Sequence, residues 1–238
     1  MPTARAHRAV SVLVALSLAS TGAAAATTLS IAPTRLDLSP ERPAAALTVR
    51  NDGQAPVLVQ VETFAWRASP ATSDLEPTRD LLAVPPLLRL APGEKQIVRV
   101  ARRSGPLPRV EETYRVLVSE VPESAQGSGV RLALRLSLPV FVTPPGARAE
   151  PRWDLRRQRE GLVLAVTNLG DAHLQVHRVR LLAGGRVLPV DPAPAYVLAG
   201  QTHHWPLGAL RLEGTSALGL RAETNLGEID IIVPVQGG

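Results

Sequence analysis

An all-β fold, built as two β-sandwiches in series, is what this sequence predicts, and three observations carry the prediction. After residue 28, aliphatic and polar residues alternate with period two along most of the chain. That spacing turns one face of a strand inward. Turn formers punctuate the pattern at short intervals, with 22 prolines and 18 glycines spread over 238 residues. No amphipathic 3.6-residue period of useful length competes with it in the mature chain.

Composition narrows the function classes. With 45% hydrophobic and 20% charged residues, the chain can bury two cores of ~100 residues each. Aromatics make up 3%, so those cores are built from Val, Leu and Ala. Cysteine is absent, which excludes disulfides, thiolate metal sites, thiol nucleophiles and lipidation at an N-terminal Cys. Net charge is +5, but Lys95 is the only lysine and no basic run with interleaved aromatics occurs. Nucleic acid is therefore not an expected partner.

The first residues read as a secretory signal peptide over 1–26. Arg5, His7 and Arg8 form a charged head, residues 9–19 an apolar stretch, and Ala23 to Ala26 a run of small residues for cleavage. The apolar stretch is short for a bilayer span, and no later run reaches ~18 apolar residues, so no membrane insertion is expected. The mature chain is expected to start near Thr27, soluble outside the inner membrane.

The elements follow in order. Leu29 and Ile31, then Leu36 and Leu38, make a first strand broken at Ala32-Pro33. Residues 46–50 run into the turn Asn51-Asp52-Gly53, and residues 57–66 form the next strand. Residues 70–77 read as a loop between two prolines, and residues 87–90 lead into the Pro92-Gly93 turn. Strands follow at 96–100, 114–121 and 130–142, where Pro144-Pro145-Gly146 stops the last. About seven short strands with turns every ~8–12 residues is the pattern of an immunoglobulin-like sandwich. Pro144 to Pro151 is the natural linker. Strands then recur at 153–155, 162–167, 176–182, 186–189, 195–198, 218–224 and 228–235, a second sandwich of ~90 residues. The expected division is a first domain over 27–145 and a second over 146–238, without a convincing repeat in sequence between them.

One strand differs from the others. Val130, Leu132, Leu134, Leu136 and Leu138 place a large aliphatic at every even position, all on one face of an extended chain. Periodicity alone favours an ordinary core-facing row; the other reading is a row offered to a partner that lacks a strand.

Several ordered blocks stand out in the first domain. They are Thr34-Arg35, Asn51-Asp52 after Val49-Arg50, and Pro85-Pro86 followed by Arg89-Leu90 and Pro92-Gly93. Leu107-Pro108 with Glu111-Glu112-Thr113-Tyr114, then Glu120-Val121-Pro122, and the closing Phe141-Val142-Thr143-Pro144 complete the set. At this spacing the blocks together resemble periplasmic pilus-assembly chaperones of the chaperone–usher pathway, while in the second half only Asn168 is similar to a family strand end. The pattern looks closest to the divergent branch associated with spore-coat-protein-U-like pilins.

The resemblance implies a boomerang of two sandwiches with an interdomain cleft, and a role in folding, capping and delivering pilin subunits. A pilin lacks its last strand, and an inserted chaperone strand completes it by β-augmentation. The donor residues would be Val130, Leu132, Leu134, Leu136 and Leu138. The implied partners are pilin subunits, an outer-membrane usher and, when no subunit is present, a second copy as a self-capping homodimer. Arg35 matches the family's cleft arginine, which binds the pilin's C-terminal carboxylate. The family's second anchor, a lysine, falls on Pro139, which has neither charge nor N–H. Arg89, Arg115 and Arg135 are the candidate substitutes. The rival readings are a secreted two-domain adhesin or surface-binding module, and a pilin subunit.

Nothing points to catalysis. His173 and His177 have an H-x₃-H spacing but flank a β-patterned run with no third ligand, and His203-His204-Trp205 reads as a loop-to-strand junction. G-x-S-x-G, HExxH and P-loop signatures are absent. No cofactor and no metal are expected.

Overall fold

A computed structural model describes residues 29–68, 73–103, 105, 108–122, 133–210 and 215–237. Among these residues every regular element is a strand. The first half contains β1 (Leu29–Ala32), β2 (Leu36–Leu38), β3 (Ala44–Asn51), β4 (Val57–Ala68) and β5 (Ser73–Pro77). It continues with β6 (Leu81–Val84), β7 (Leu87–Leu90), β8 (Lys95–Arg102), β9 (Glu112–Val121) and β10 (Arg135–Val142). One sheet has the order β1-β3-β8-β6; the other runs β2-β10-β9-β4-β5, with β7 also on β4.

Ala32-Pro33 breaks the first strand as expected, and the break lets the chain change sheets. β1 pairs antiparallel with β3, whereas β2 pairs parallel with β10 through Val140↔Leu36 and Val142↔Leu38. The core lies between the sheets. Leu47 and Val49 of β3 and Val98 and Val100 of β8 meet Val59 and Val61 of β4, Val116 and Val118 of β9, and Val140 and Val142 of β10.

Three elements differ from the sequence reading. Residues 73–77, expected as loop, are an edge strand in register with β4 through Phe64↔Pro77 and Trp66↔Leu75. Pro77 sits at the strand's end on a sheet edge, where a missing N–H is tolerated. Residues 81–84 form β6, an edge partner of β8. In the second half, Thr202–Gly208 is a full strand on β12 rather than a junction.

The second half comprises β11 (Pro151–Gln158), β12 (Gly161–Asn168), β13 (Leu174–Ala183), β14 (Arg186–Val187) and β15 (Ala195–Val197). β16 (Thr202–Gly208), β17 (Ala217–Thr224) and β18 (Gly227–Gln236) complete it. β18 pairs antiparallel with β17 along its length and parallel with β11 at Leu155↔Val235, so it joins the two faces of this sandwich. A separate core of Leu155, Leu164, Val166, Leu174, Val176, Leu181, Leu218 and Leu220 fills it.

The halves share a device that their sequences do not advertise. Asn51 and Asn168 each end a strand with no exposed surface. Asn51 Nδ2 donates to Ala55 O at 2.8 Å and Leu90 O at 3.1 Å, and Asn168 Nδ2 donates to Ala172 O at 2.7 Å and Val197 O at 3.0 Å. Each Oδ1 accepts the N–H two residues on, from Gly53 at 2.9 Å and Gly170 at 3.1 Å. Each backbone carbonyl accepts from a glycine, Gly93 or Gly200, at 2.8 and 2.9 Å. Those glycines have φ of 76° and 72°, a left-handed conformation that side chains disfavour. The repeat is one of hydrogen bonding. Asn168→Ala strands two buried carbonyls and two N–H groups and is expected to cost about 3 kcal/mol, read as a lower urea midpoint at unchanged slope.

Candidate functional site

The anchor candidates Arg35, Arg115 and Pro139 lie on the outward face of the sheet β2-β10-β9-β4. Side chains of paired residues point to the same face. Phe141 pairs with Asp37 on one side and Thr113 on the other. One step along, Arg115 pairs with Pro139 of β10 and with Phe64 of β4. Arg35 immediately precedes β2, two residues from Asp37, and its Nε donates to Asp37 Oδ2 at 3.0 Å. Arg35, Pro139 and Arg115 thus fall in one row across three neighbouring strands.

This row ends against the second half. Trp66, Phe141 and Leu198 form a small buried cluster with Tyr196 packed on it. The Arg115 guanidinium lies 3.7 Å from the centroid of the Trp66 ring and 5.8 Å from that of Tyr196. Cation–π attraction of this kind gains strength as water is excluded. No carboxylate reaches Arg115 among the described residues, and burial pushes its guanidinium down from the ordinary arginine range. A partly desolvated cation with only ring faces for company is a ready anion site.

Register separates the three candidate second cations. Arg115 faces Pro139 directly. Arg135 is four residues along β10, about 13 Å away, exposed, and 4.0 Å from Glu62. Arg89 sits on β7 opposite Leu58, six residues along β4 from the Arg115 row, or about 20 Å.

The aliphatic row of β10 divides. Leu138 is buried in the chain's own core and Leu136 packs against that core. Leu134 is 36% exposed. Val130 and Leu132 lie outside the described residues. Over residues 135–139, β10 has β9 on one side and no strand on the other among the described residues, because β2 covers only Val140 to Val142. An uncovered edge of this kind can pair with another chain.

The sequence marked Glu111 only as part of a family-like block and did not reveal its partner. It precedes β9 in the first half, its side chain is 1% exposed, and it grips the second half. Its Oε1 accepts from the His173 backbone N–H at 2.8 Å and faces His173 Nδ1 at 2.9 Å. Its Oε2 accepts from Thr143 Oγ1 at 2.7 Å. The His173 ring stacks on Phe141 at 3.6 Å between centroids and 8° between planes. His173 is thus packed and hydrogen-bonded within the junction between the halves. Neighbouring Glu112 instead takes Arg102 through two hydrogen bonds, at 2.7 and 3.0 Å, which hold its carboxyl below the usual range.

Comparison with known proteins agrees with this architecture. The chain is similar to the chaperone protein FimB/FhaD of Bordetella pertussis, 32% identical over 151 residues, or 60% of this chain and 61% of that one. It is similar to the chaperone protein FaeE of Escherichia coli, 28% identical over 133 residues, or 54% and 48% of the two chains. The matched region thus spans half to three-fifths of these relatives' length. Its fold is similar to that of a chain in the CsuC–CsuE chaperone–tip adhesion subunit pre-assembly complex from archaic Csu pili of Acinetobacter baumannii. That match has a TM-score of 0.65 at 19% identity, covering 89% of this chain and 99% of that one. The SafB chaperone of Salmonella enterica, solved with the SafA pilin, matches at a TM-score of 0.61 and 20% identity over 87% and 96% of the chains. Residues 28–148 match the model for the pili and flagellar-assembly chaperone PapD N-terminal domain. By that match, which takes in both β10 and the Arg35 row, the chain belongs to the family of pili and flagellar-assembly chaperones, a family of assembly proteins and not a class of enzymes.

Proposed function

We propose that this chain is a periplasmic chaperone that captures incompletely folded pilin-type subunits by donor-strand complementation and passes them to an outer-membrane usher. The proposed organisation is a signal peptide over 1–26, a subunit-binding domain over 27–145 and a second domain over 146–238. The observation that carries this reading is the open edge of β10, whose aliphatic row emerges from the chain's own core at Leu134 and which Arg35 and Arg115 flank from the neighbouring strands at Pro139. A subunit lacking one strand exposes an apolar groove and two unpaired edges. β10 can supply backbone hydrogen bonds along its edge and aliphatic side chains from Leu134 toward Leu132 and Val130. Each such side chain, once buried, contributes ~1.5–3 kcal/mol before ordering costs. Leu136 and Leu138 hold the strand in the chaperone. A self-capping homodimer would occupy the same edge in the absence of a subunit. An adhesin would need neither this edge nor the family's blocks.

The end of the bound strand needs a register stop, and a C-terminal carboxylate between Arg35 and Arg115 supplies one. Guanidinium–carboxylate hydrogen bonds are charge-assisted and gain from partial desolvation. Proline at 139 adds no side-chain charge between the two cations, and Asp37 engages Arg35 through Nε only. The test is co-expression of the full chain with candidate subunits from adjacent genes, followed by purification from the periplasm. A 1:1 complex, with the subunit degraded when the chaperone is omitted, supports the reading. No recovered subunit and a surface-exposed chain would move it to the adhesin. In the same assay, Arg35→Ala and Arg115→Ala are each expected to weaken capture ~10- to 100-fold, the equivalent of one charged hydrogen bond or more. Arg89→Ala and Arg135→Ala are expected to leave it unchanged. Full capture by Arg115→Ala would remove that residue from the anchor.

A further inference from the structure

We infer that Gln175, a residue of the second half, is a positioning residue for Arg35, so that the junction between the halves sets the anchor's direction. The inference rests on the reading of Arg35 as a carboxylate anchor. Arg35 Nη1 donates to Gln175 Oε1 at 3.3 Å, across 140 residues of sequence, while Arg35 Nε donates to Asp37. The guanidinium is therefore held on two sides, and its Nη2 group is uncommitted among the described residues. A guanidinium offers five N–H donors in one rigid plane, so fixing two of them fixes the direction of the rest.

Gln175 is itself held. Its backbone N–H donates to Asn225 Oδ1 at 2.8 Å, in the turn between β17 and β18, and Asn225 Nδ2 donates to His173 O at 3.3 Å. The His173 N–H donates to Glu111 Oε1, and Thr143 Oγ1 donates to Glu111 Oε2. The Thr143 N–H donates to Leu38 O at 3.0 Å, at the far end of β2 from Arg35. The hydrogen bonds thus close a ring that crosses between the halves twice: Arg35, Gln175, Asn225, His173, Glu111, Thr143 and back along β2. A neutral amide suits its place in the ring. It accepts from the guanidinium without supplying a charge that would compete with an incoming carboxylate.

Two substitutions of similar volume separate positioning from bulk structure. Gln175→Met removes the acceptor; Gln175→Glu keeps it and adds a charge. In the free full-length protein, solvent exchange of the Arg35 side-chain N–H groups by NMR is expected to quicken about fivefold in Gln175→Met and to slow in Gln175→Glu. In complexes with co-purified subunit, both variants are expected to shorten the lifetime, by about fivefold and by tenfold or more respectively. Opposite shifts in exchange with parallel losses of lifetime support the inference, because a merely structural role would move both variants the same way. Exchange and lifetime within twofold of the parent in Gln175→Met, with the parent capturing subunit normally, overturn it alone. A parent chain that captures no subunit overturns the anchor reading and this inference together.

Discussion

Replacing Glu111 by leucine is expected to lower stability by about 3–5 kcal/mol and to split one thermal transition into two. The argument begins with burial. The Glu111 side chain is 1% exposed and its two oxygens take the Thr143 hydroxyl, the His173 backbone N–H and the His173 ring. Leucine fills similar volume but leaves those groups in a dry junction without an acceptor, each at ~1–3 kcal/mol. The halves have separate cores, so the junction couples them without being needed for either to fold. Losing it should release each half to melt independently, with the first transition about 10 °C below the parent. Glu111→Gln keeps an acceptor toward His173 and can donate to Thr143, so it is expected to lose only ~1–2 kcal/mol. Calorimetry of the three proteins decides the point. A leucine variant melting within 2 °C of the parent, in one transition, would show that apolar packing of Phe141, Trp66 and Tyr196 joins the halves unaided.

The sheet pattern and the junction were legible to different degrees. Period two and turn residues revealed most strands, because a half-covered strand has to alternate and a tight turn has to contain residues that tolerate it. Ala32-Pro33 announced the break in the first strand by the same logic, while the change of sheets emerged only from the pairings. Ser73–Pro77 escaped because an edge strand can be polar and can carry a proline. Thr202–Gly208 escaped because paired histidines read as junction, although Trp205 is buried between them and the rest of the strand. The row Arg35–Pro139–Arg115 could be drawn only once register was known, since periodicity says which face a residue takes and not which residue lies beside it. Glu111 and His173 each stood in a local pattern, but nothing local showed that they pair across 62 residues. Asn51 was visible as a turn former, but its twin Asn168 became its equivalent only through matched hydrogen bonds.

The same limit explains why one aliphatic row on β10 holds two kinds of residue, and it yields the sharpest contrast available in this chain. Leu134→Glu and Leu138→Glu make the same chemical change four residues apart in one alternating row, just before β10 and within it. Leu138 is 4% exposed within the first core, where a carboxylate finds no partner; its burial costs several kcal/mol, enough to unfold a domain of marginal stability. The Leu138→Glu chain is expected to be degraded in the periplasm or recovered unfolded. Leu134 is 36% exposed, so glutamate there meets water in the free protein and should leave its melting temperature unchanged. In a complex, that carboxylate would enter the subunit's apolar groove with no counterion, and capture is expected to fall by 100-fold or more. Stable protein with lost capture at 134, beside lost protein at 138, would locate the point where the strand passes from the chaperone's own core into its partner's. Undiminished capture by Leu134→Glu would mean that the row ends in its own sandwich and that the subunit is held elsewhere.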